Sequence, residues 1–245
     1  MPWVLPAGSH ILTATATDRA GNTGVASSAQ PVLVGSAAAD VLTPGHATNL
    51  VLGGLGDDIY NINRASIAVI ESTGEGTDTV RASVGYTLPT GSSIEFLQAN
   101  AGATGLALTG NALANTIVGG GGADIITGGL GADMLTGGAG ADTFVFTAAG
   151  DSTVGVGGRD RISDFSMLFG DRIDLRLIDA NPNVFGDQAF SFIGQTAFAG
   201  SAGELRQEAI GADTWVQADV NGDAVADFSF LLSGSHTLSA LNFNL

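Results

Sequence analysis

The sequence predicts an all-β chain: a parallel β-roll, a solenoid of short strands, closed by a β-rich C-terminal cap. Three observations carry this prediction. Glycine is abundant, 37 of 245 residues, with no collagen period and only six prolines, so the excess serves turns that recur. From Gly35 the chain divides into nine-residue blocks approaching the pattern GGxGxDxUx, where U is apolar. The eighth position is apolar throughout: Leu42, Val51, Tyr60, Val80, Leu108, Ile117, Ile126, Leu135 and Phe144. One inward side chain per block is what a two-sided roll needs, each block supplying a turn and a short strand. Two blocks complete a coil, and alternate blocks stack about 4.8 Å apart.

Residues 1–34 read as two alternating strands, Ser9 to Asp18 and Gly24 to Val34, around the turn Asp18-Arg19-Ala20-Gly21-Asn22. This stretch resembles the last hairpin of a bacterial immunoglobulin-like repeat. One hairpin is not a stable domain, so 1–34 is expected to be a remnant or linker in a chain that is the C-terminal part of something longer. A first nonapeptide segment spans 35–100, with blocks GSAAADVLT, PGHATNLVL and GGLGDDIYN. The frame is then lost for eleven residues, returns as TGEGTDTVR at 73–81, and gives way from Val84 to Leu97 to an insertion alternating like ordinary strands. The main roll, 101–145, runs without interruption: AGATGLALT, GNALANTIV, GGGGADIIT, GGLGADMLT and GGAGADTFV. Residues 146–245 lose the period and predict strands at Arg161 to Phe165, Ile173 to Leu177, Ala189 to Ile193, Glu204 to Ile210, Thr214 to Asp219 and Asp227 to Leu232. A non-repeating cap is expected where a solenoid would otherwise expose its apolar end.

Charge narrows the function. The chain carries 24 acidic residues against eight arginines and no lysine, a net charge of −16, which argues against nucleic acid or an anionic membrane surface as partner. A multivalent cation is the natural counter-charge. No apolar run approaches membrane-spanning length, and the N-terminus shows no basic region followed by an apolar stretch. Cysteine is absent, which leaves stability to packing and metals.

The repeats supply the chemistry. Glycines permit tight or left-handed turns that aim carbonyl oxygens at a common point, where the sixth-position carboxylate joins them. Many protein oxygens on a pliable loop suit Ca²⁺, whereas Mg²⁺ prefers fewer ligands and keeps its waters. The candidate ligands of the main roll are Asn115; Gly119, Gly120, Gly122 and Asp124; Gly128, Gly129, Gly131 and Asp133; and Gly137, Gly138, Gly140 and Asp142. In the first segment they are Asp40, Asn49, Gly53, Gly54, Gly56, Asp58 and Asp78. Stacking pairs Asp124 with Asp142, Asn115 with Asp133, and Asp40 with Asp58. Asn49 and Asn115 are half-strength positions lacking a formal charge, and Asp78 serves a lone site. Without a cation, carboxylates about 5 Å apart repel by roughly 1 kcal/mol in water and more where desolvated. Asp219, Asn221, Asp223 and Asp227 match an EF-hand-like loop, but Phe230 replaces its bidentate Glu and Asn221-Gly222 is a strong hairpin signal, which is the favoured reading.

The blocks resemble those of RTX proteins. GGAGADTFVF at 137–146, DST at 151–153, DRISDF at 160–165, DRIDL at 171–175 and QADVNGDAVADF at 217–228 resemble the C-terminal domain of serralysin-type secreted proteases. The resemblance covers about 35–245. It implies a parallel β-roll with Ca²⁺ between the turns, an extracellular or cell-surface location, and a type I secretion apparatus as partner, reading an uncleaved C-terminal signal. It also implies Asp151, Asp160 and Asp171 as further calcium ligands, although Arg161 and Arg172 beside them could form ion pairs instead. Leu238, Leu241, Phe243 and Leu245 supply the apolar C-terminal pattern, while Asn242 and Asn244 depart from the family's acidic ending.

Serralysins cleave proteins through an N-terminal HExxHxxGxxH helix, and that motif is absent here. His10, His46 and His236 lie in three separate regions, no GxSxG elbow occurs, and neither cysteine nor lysine is available as a nucleophile. The acids are accounted for as metal ligands, which must be ionised. The sequence therefore predicts no catalytic site. Two contexts follow: an adhesin terminus, whose upstream domains would bring a cell-surface or matrix ligand, or the non-catalytic end of an exoenzyme.

Overall fold

The computed structural model describes residues 5–15, 17, 19 and 23–245. Their strands, in chain order, begin with β1 (Gly8–Leu12), β2 (Gln30–Val34), β3 (Val41–Leu42), β4 (Leu50–Leu52), β5 (Ile59–Ile62), β6 (Ala68–Ile70), β7 (Thr79–Ala82) and β8 (Tyr86–Thr87). The roll continues through β9 (Phe96–Ala99), β10 (Ala107–Thr109), β11 (Thr116–Gly121), β12 (Ile125–Thr127), β13 (Met134–Ala139) and β14 (Thr143–Val145). The cap holds β15 (Arg161–Ile162), β16 (Arg172–Asp174), β17 (Ser191–Phe192), β18 (Glu204–Ile210), β19 (Asp213–Asp219), β20 (Phe228–Leu232) and β21 (Phe243–Asn244). The fold is all-β. Among the described residues the one helical element is a 3₁₀ turn, Ala240–Asn242, and no helix is long and apolar enough to cross a membrane.

The chain winds as a flattened parallel solenoid. One wall stacks β3, β5, β7, β9, β11, β13 and β15, and the other carries β2, β4 and β6 followed by β8, β10, β12, β14 and β16. Between regular blocks each coil advances 18 residues, as from Asp40 to Asp58 or Asp124 to Asp142. The eighth-position side chains all point inward: Tyr60, Val80, Leu108, Ile117, Ile126, Leu135 and Phe144 are fully buried, while the next residue back, such as Ile125, lies on the outer face. This is the period-2 alternation of a strand, reduced to one inward residue per rung.

Three departures from the sequence expectations are long-range. The expected break at 62–72 is a regular rung: β6 pairs with β4, Val69 over Val51, and Val69 is fully buried. Its turn lacks the Gly/Asp signature, so the motif vanishes while the apolar phase persists. Val84 to Leu97 is no separate insertion, because β8 pairs in parallel with β10 and β9 joins β7 to β11. In the N-terminal stretch β1 and β2 do pair antiparallel, yet β2 also pairs in parallel with β4 and buries Val32, so it forms the first rung of its wall. The turn expected at 18–22 lies largely outside the described residues. In the cap, the antiparallel set β18, β19 and β20 continues the longer wall through β20 on β15, and β21 closes the other wall on β16.

Candidate metal centre

The turns between the walls place acidic side chains in two ladders. In one, Asp40 N–H donates to Asp58 Oδ1 and Asp58 N–H to Asp78 Oδ1, both at 2.8 Å, and Asp78 N–H donates to Glu95 Oε2 at 2.8 Å. Farther along the same wall Asn115 N–H donates to Asp133 Oδ1 and Asp133 N–H to Asp160 Oδ1, at 2.7 and 2.9 Å. In the other ladder Leu106 N–H donates to Asp124 Oδ1, Asp124 N–H to Asp142 Oδ1 and Asp142 N–H to Asp171 Oδ1. Each carboxylate thus spends one oxygen tying its rung to the rung before. The pairs read from the repeat, Asp124 with Asp142, Asn115 with Asp133 and Asp40 with Asp58, lie on adjacent rungs.

The second oxygen faces into the turn. Among the described residues, no donor reaches Oδ2 of Asp78, Asp124, Asp133, Asp142 or Asp160, and each of these side chains is at least 98% buried. Glycines create the space for them in two ways. Gly129 and Gly131, like Gly54, Gly56, Gly120, Gly122, Gly138 and Gly140, have φ between +92° and +140°, the region that disfavours a side chain. The first glycine of each block is needed for a different reason. A β-carbon on Gly119 would lie 2.6 Å from Gly137 O of the next rung and 2.7 Å from Asp124 Oδ2, and one on Gly128 or Gly137 would overlap Asp133 Oδ2 or Asp142 Oδ2. Carboxylate oxygens therefore crowd against these leading glycines, joined at Gly119 by a carbonyl oxygen of the next rung, an all-oxygen donor set that suits a hard cation such as Ca²⁺.

Electrostatics point the same way. Burial pushes Asp142 and Asp78 up to about 6, Asp133 to about 7 and Asp160 to about 8, each against a single lowering backbone hydrogen bond. Asp58, Asp124 and Asp171 are raised by the same cause. Glu71 rises to about 9, first through burial and then through Asp78. The ion pairs among the described residues join Arg161 to Asp213, Arg176 to Asp174 and Arg206 to Glu208, none of them a ladder acid. Arg161, considered above as a partner for Asp160, turns to Asp213 at 2.8 Å, and Arg172 is exposed.

Other candidates sit differently. Asn49 is exposed, so the half-strength ligand expected there does not face a buried turn cluster. Asp151 is buried, but its Oδ2 accepts from Thr147 N–H, Thr147 Oγ1–H and Ala148 N–H, which makes it a cap of its own loop. Asp171 Oδ2 likewise accepts from Ser166 N–H. The 219–227 loop is the expected hairpin: both oxygens of Asp219 accept backbone N–H groups from Asn221, Gly222 and Ala224. Glu95 and Glu71 were not legible as site residues. Glu95-Phe96-Leu97 repeats the acid-x-apolar triplet of Asp58-Ile59-Tyr60 and Asp78-Thr79-Val80, a signal that could have found it. Glu71 has no such signal, since it stands where regular blocks carry glycine.

The family model described as peptidase M10 serralysin C terminal matches residues 17–243. Two similar solved structures are the AlgE6R2 and AlgE6R3 subunits of the Azotobacter vinelandii mannuronan C5-epimerase. The first is 28% identical over 56% of this chain and 79% of that chain, with a TM-score of 0.39. The second is 24% identical over 71% of this chain and 82% of that chain, with a TM-score of 0.41. No curated protein matches the chain.

Proposed function

Since the chain belongs to the peptidase M10 serralysin C-terminal family, we propose that it is a calcium-folded RTX module, non-catalytic itself, that serves a larger secreted protein. One observation carries this reading: the paired ladders of buried carboxylates, in which Asp78, Asp124, Asp133, Asp142 and Asp160 each keep an oxygen that no donor among the described residues reaches, beside glycines that leave room for an ion. Asp124, Asp133 and Asp142 would hold Ca²⁺ together with backbone carbonyls of the glycine turns, and Asp58 and Asp78 would serve calcium in the first segment. Bound calcium supplies the positive charge that the ladders lack. The chain's own part is to deliver ionised oxygens and to exclude water, which it can do only once the rungs have stacked. Binding and folding are then one process.

Extracellular calcium modules bind with dissociation constants of roughly 10⁻⁴ to 10⁻³ M, so a low-calcium cytosol would keep the chain unfolded for export and the exterior would fold it. A site filled at tenfold excess contributes about 1.4 kcal/mol, so several sites together decide the equilibrium. Far-UV circular dichroism of metal-stripped protein is expected to show a cooperative gain of β signal with millimolar Ca²⁺ but not Mg²⁺. Asp124→Ala combined with Asp142→Ala should move the midpoint to higher calcium. Identical β spectra with and without calcium would refute the reading.

Export through a type I apparatus is the finer part of the proposal, supported by family membership and the apolar C-terminus. Deleting residues 236–245 is expected to reduce the exported fraction severalfold. The deletion also removes β21, but the apparatus handles unfolded chains, so lost packing should not confound the measurement. Undiminished export would end this part of the reading. The pairing of β2 with β4 ties the N-terminal hairpin to the roll, so the hairpin no longer points to an adhesin as the larger protein.

A further inference from the structure

The turn joining β6 to β7 breaks the repeat pattern. Residues 71–78 take eight positions where 53–58 take six, and because Ile70 stacks on Leu52, Glu71 occupies the place of Gly53 one rung below. Its backbone is fixed on both sides: Glu71 N–H donates to Ser92 Oγ and Ser93 N–H donates to Glu71 O, each at 3.0 Å. The side chain runs inward and is 1% exposed, as is Asp58, while Asp78 is fully buried. One carboxylate oxygen from each of Asp58, Glu71 and Asp78 lies within 4.8 Å of the other two. That separation matches oxygens sharing one cation at about 2.3–2.6 Å. Among the described residues no donor reaches Oε1 or Oε2 of Glu71 or Oδ2 of Asp78. A β-carbon on Gly53 would overlap Glu71 Oε1, Asp58 Oδ2 and Tyr60 Oη together, so the three atoms face one small space.

We propose that Asp58, Glu71 and Asp78 form a three-carboxylate site for a single Ca²⁺, distinct from the turns built on one aspartate and carbonyls, and that it fills before them. The inference rests on reading the turns as calcium-binding. Affinity in oxygen sites rises with ligand charge and rigidity, and this site has three formal charges on a pinned backbone. It sits near the start of the roll, where an early-filled site would give later rungs a template to stack on.

Tyr60 provides a local reporter, because its Oη lies 3.5 Å from Asp58 Oδ2 and a Tb³⁺ ion bound there would be excited through the ring. In a Tb³⁺ titration of the intact metal-stripped chain, tyrosine-sensitised emission is expected to rise before the circular-dichroism transition. Tyr60→Phe should remove most of the emission and leave the calcium transition in place. Glu71→Gln should move the emission midpoint at least about tenfold higher, as expected for loss of one of three ligand charges. Emission indifferent to both substitutions would overturn the site. If Glu71→Gln failed to fold, Tyr60→Phe would still decide, since emission that survives it comes from elsewhere. A Glu71-dependent emission without any calcium-induced gain of β signal would refute the wider reading and leave this site standing.

Discussion

Metal-stripped protein at pH 8 is expected to lack most of its β signal and to regain part of it on acidification to about pH 4. The sign follows from the ladders. Asp78, Asp142, Asp133, Asp160 and Glu71 are raised to about 6, 6, 7, 8 and 9 by burial, whereas the unfolded chain ionises near the ordinary values of 3.8 and 4.5. Between those limits the folded roll binds more protons than the unfolded chain, so its metal-free stability falls as pH rises. It is greatest below the unfolded values and is lost progressively through pH 6 to 9. Asp174 and Asp213 act oppositely, held low by hydrogen bonds and by Arg176 and Arg161, but the arginine of each pair keeps contact with solvent, so these pairs contribute little. Calcium reverses the trend, because it needs ionised ligands: its midpoint should fall as pH rises from 5 to 8. Circular dichroism against pH in metal-stripped buffer, with and without Ca²⁺, measures both slopes. A metal-free chain more folded at pH 8 than at pH 4 would contradict the burial of unpaired acids.

Ile126→Asp is expected to abolish the folded roll even in millimolar calcium, while Ile125→Asp one residue away is expected to be nearly silent. Ile126 is fully buried on β12, stacked between Leu108 and Phe144, and the opposite wall covers it. A carboxylate there has no cation and no donor, a cost of roughly 3–5 kcal/mol against a typical domain stability of about 5–15 kcal/mol. Ile125 is 51% exposed on the outer face, where substitutions usually stay within about 0.5 kcal/mol. Urea unfolding in calcium would separate the two variants. Equal effects would mean that the rung is not in the register described.

The sequence by itself determined the roll, its phase and its regular sites. In a solenoid the contact between rungs is written as a local period, so Leu42 above Tyr60 or Asp124 beside Asp142 can be read from a spacing of 18. The chemistry of the turn is equally local, because glycine and aspartate at fixed offsets define both the backbone and the ligand. Only the tertiary structure decided the rest. Where a turn gains or loses residues, as in the 20 from Asp58 to Asp78 or the 29 from Asp142 to Asp171, stacking register is set by packing across the roll and not by counting along the chain. That is why β6, β8 and β9 were hidden among apparent interruptions, and why β2 read as part of a hairpin. It also explains Glu71, which becomes a candidate ligand because the rung beneath it places Gly53, Asp58 and Tyr60 against its side chain. The converse holds for Asp151, whose Oδ2 is taken by Thr147 and Ala148, partners whose hydroxyl and amide donors no metal motif specifies.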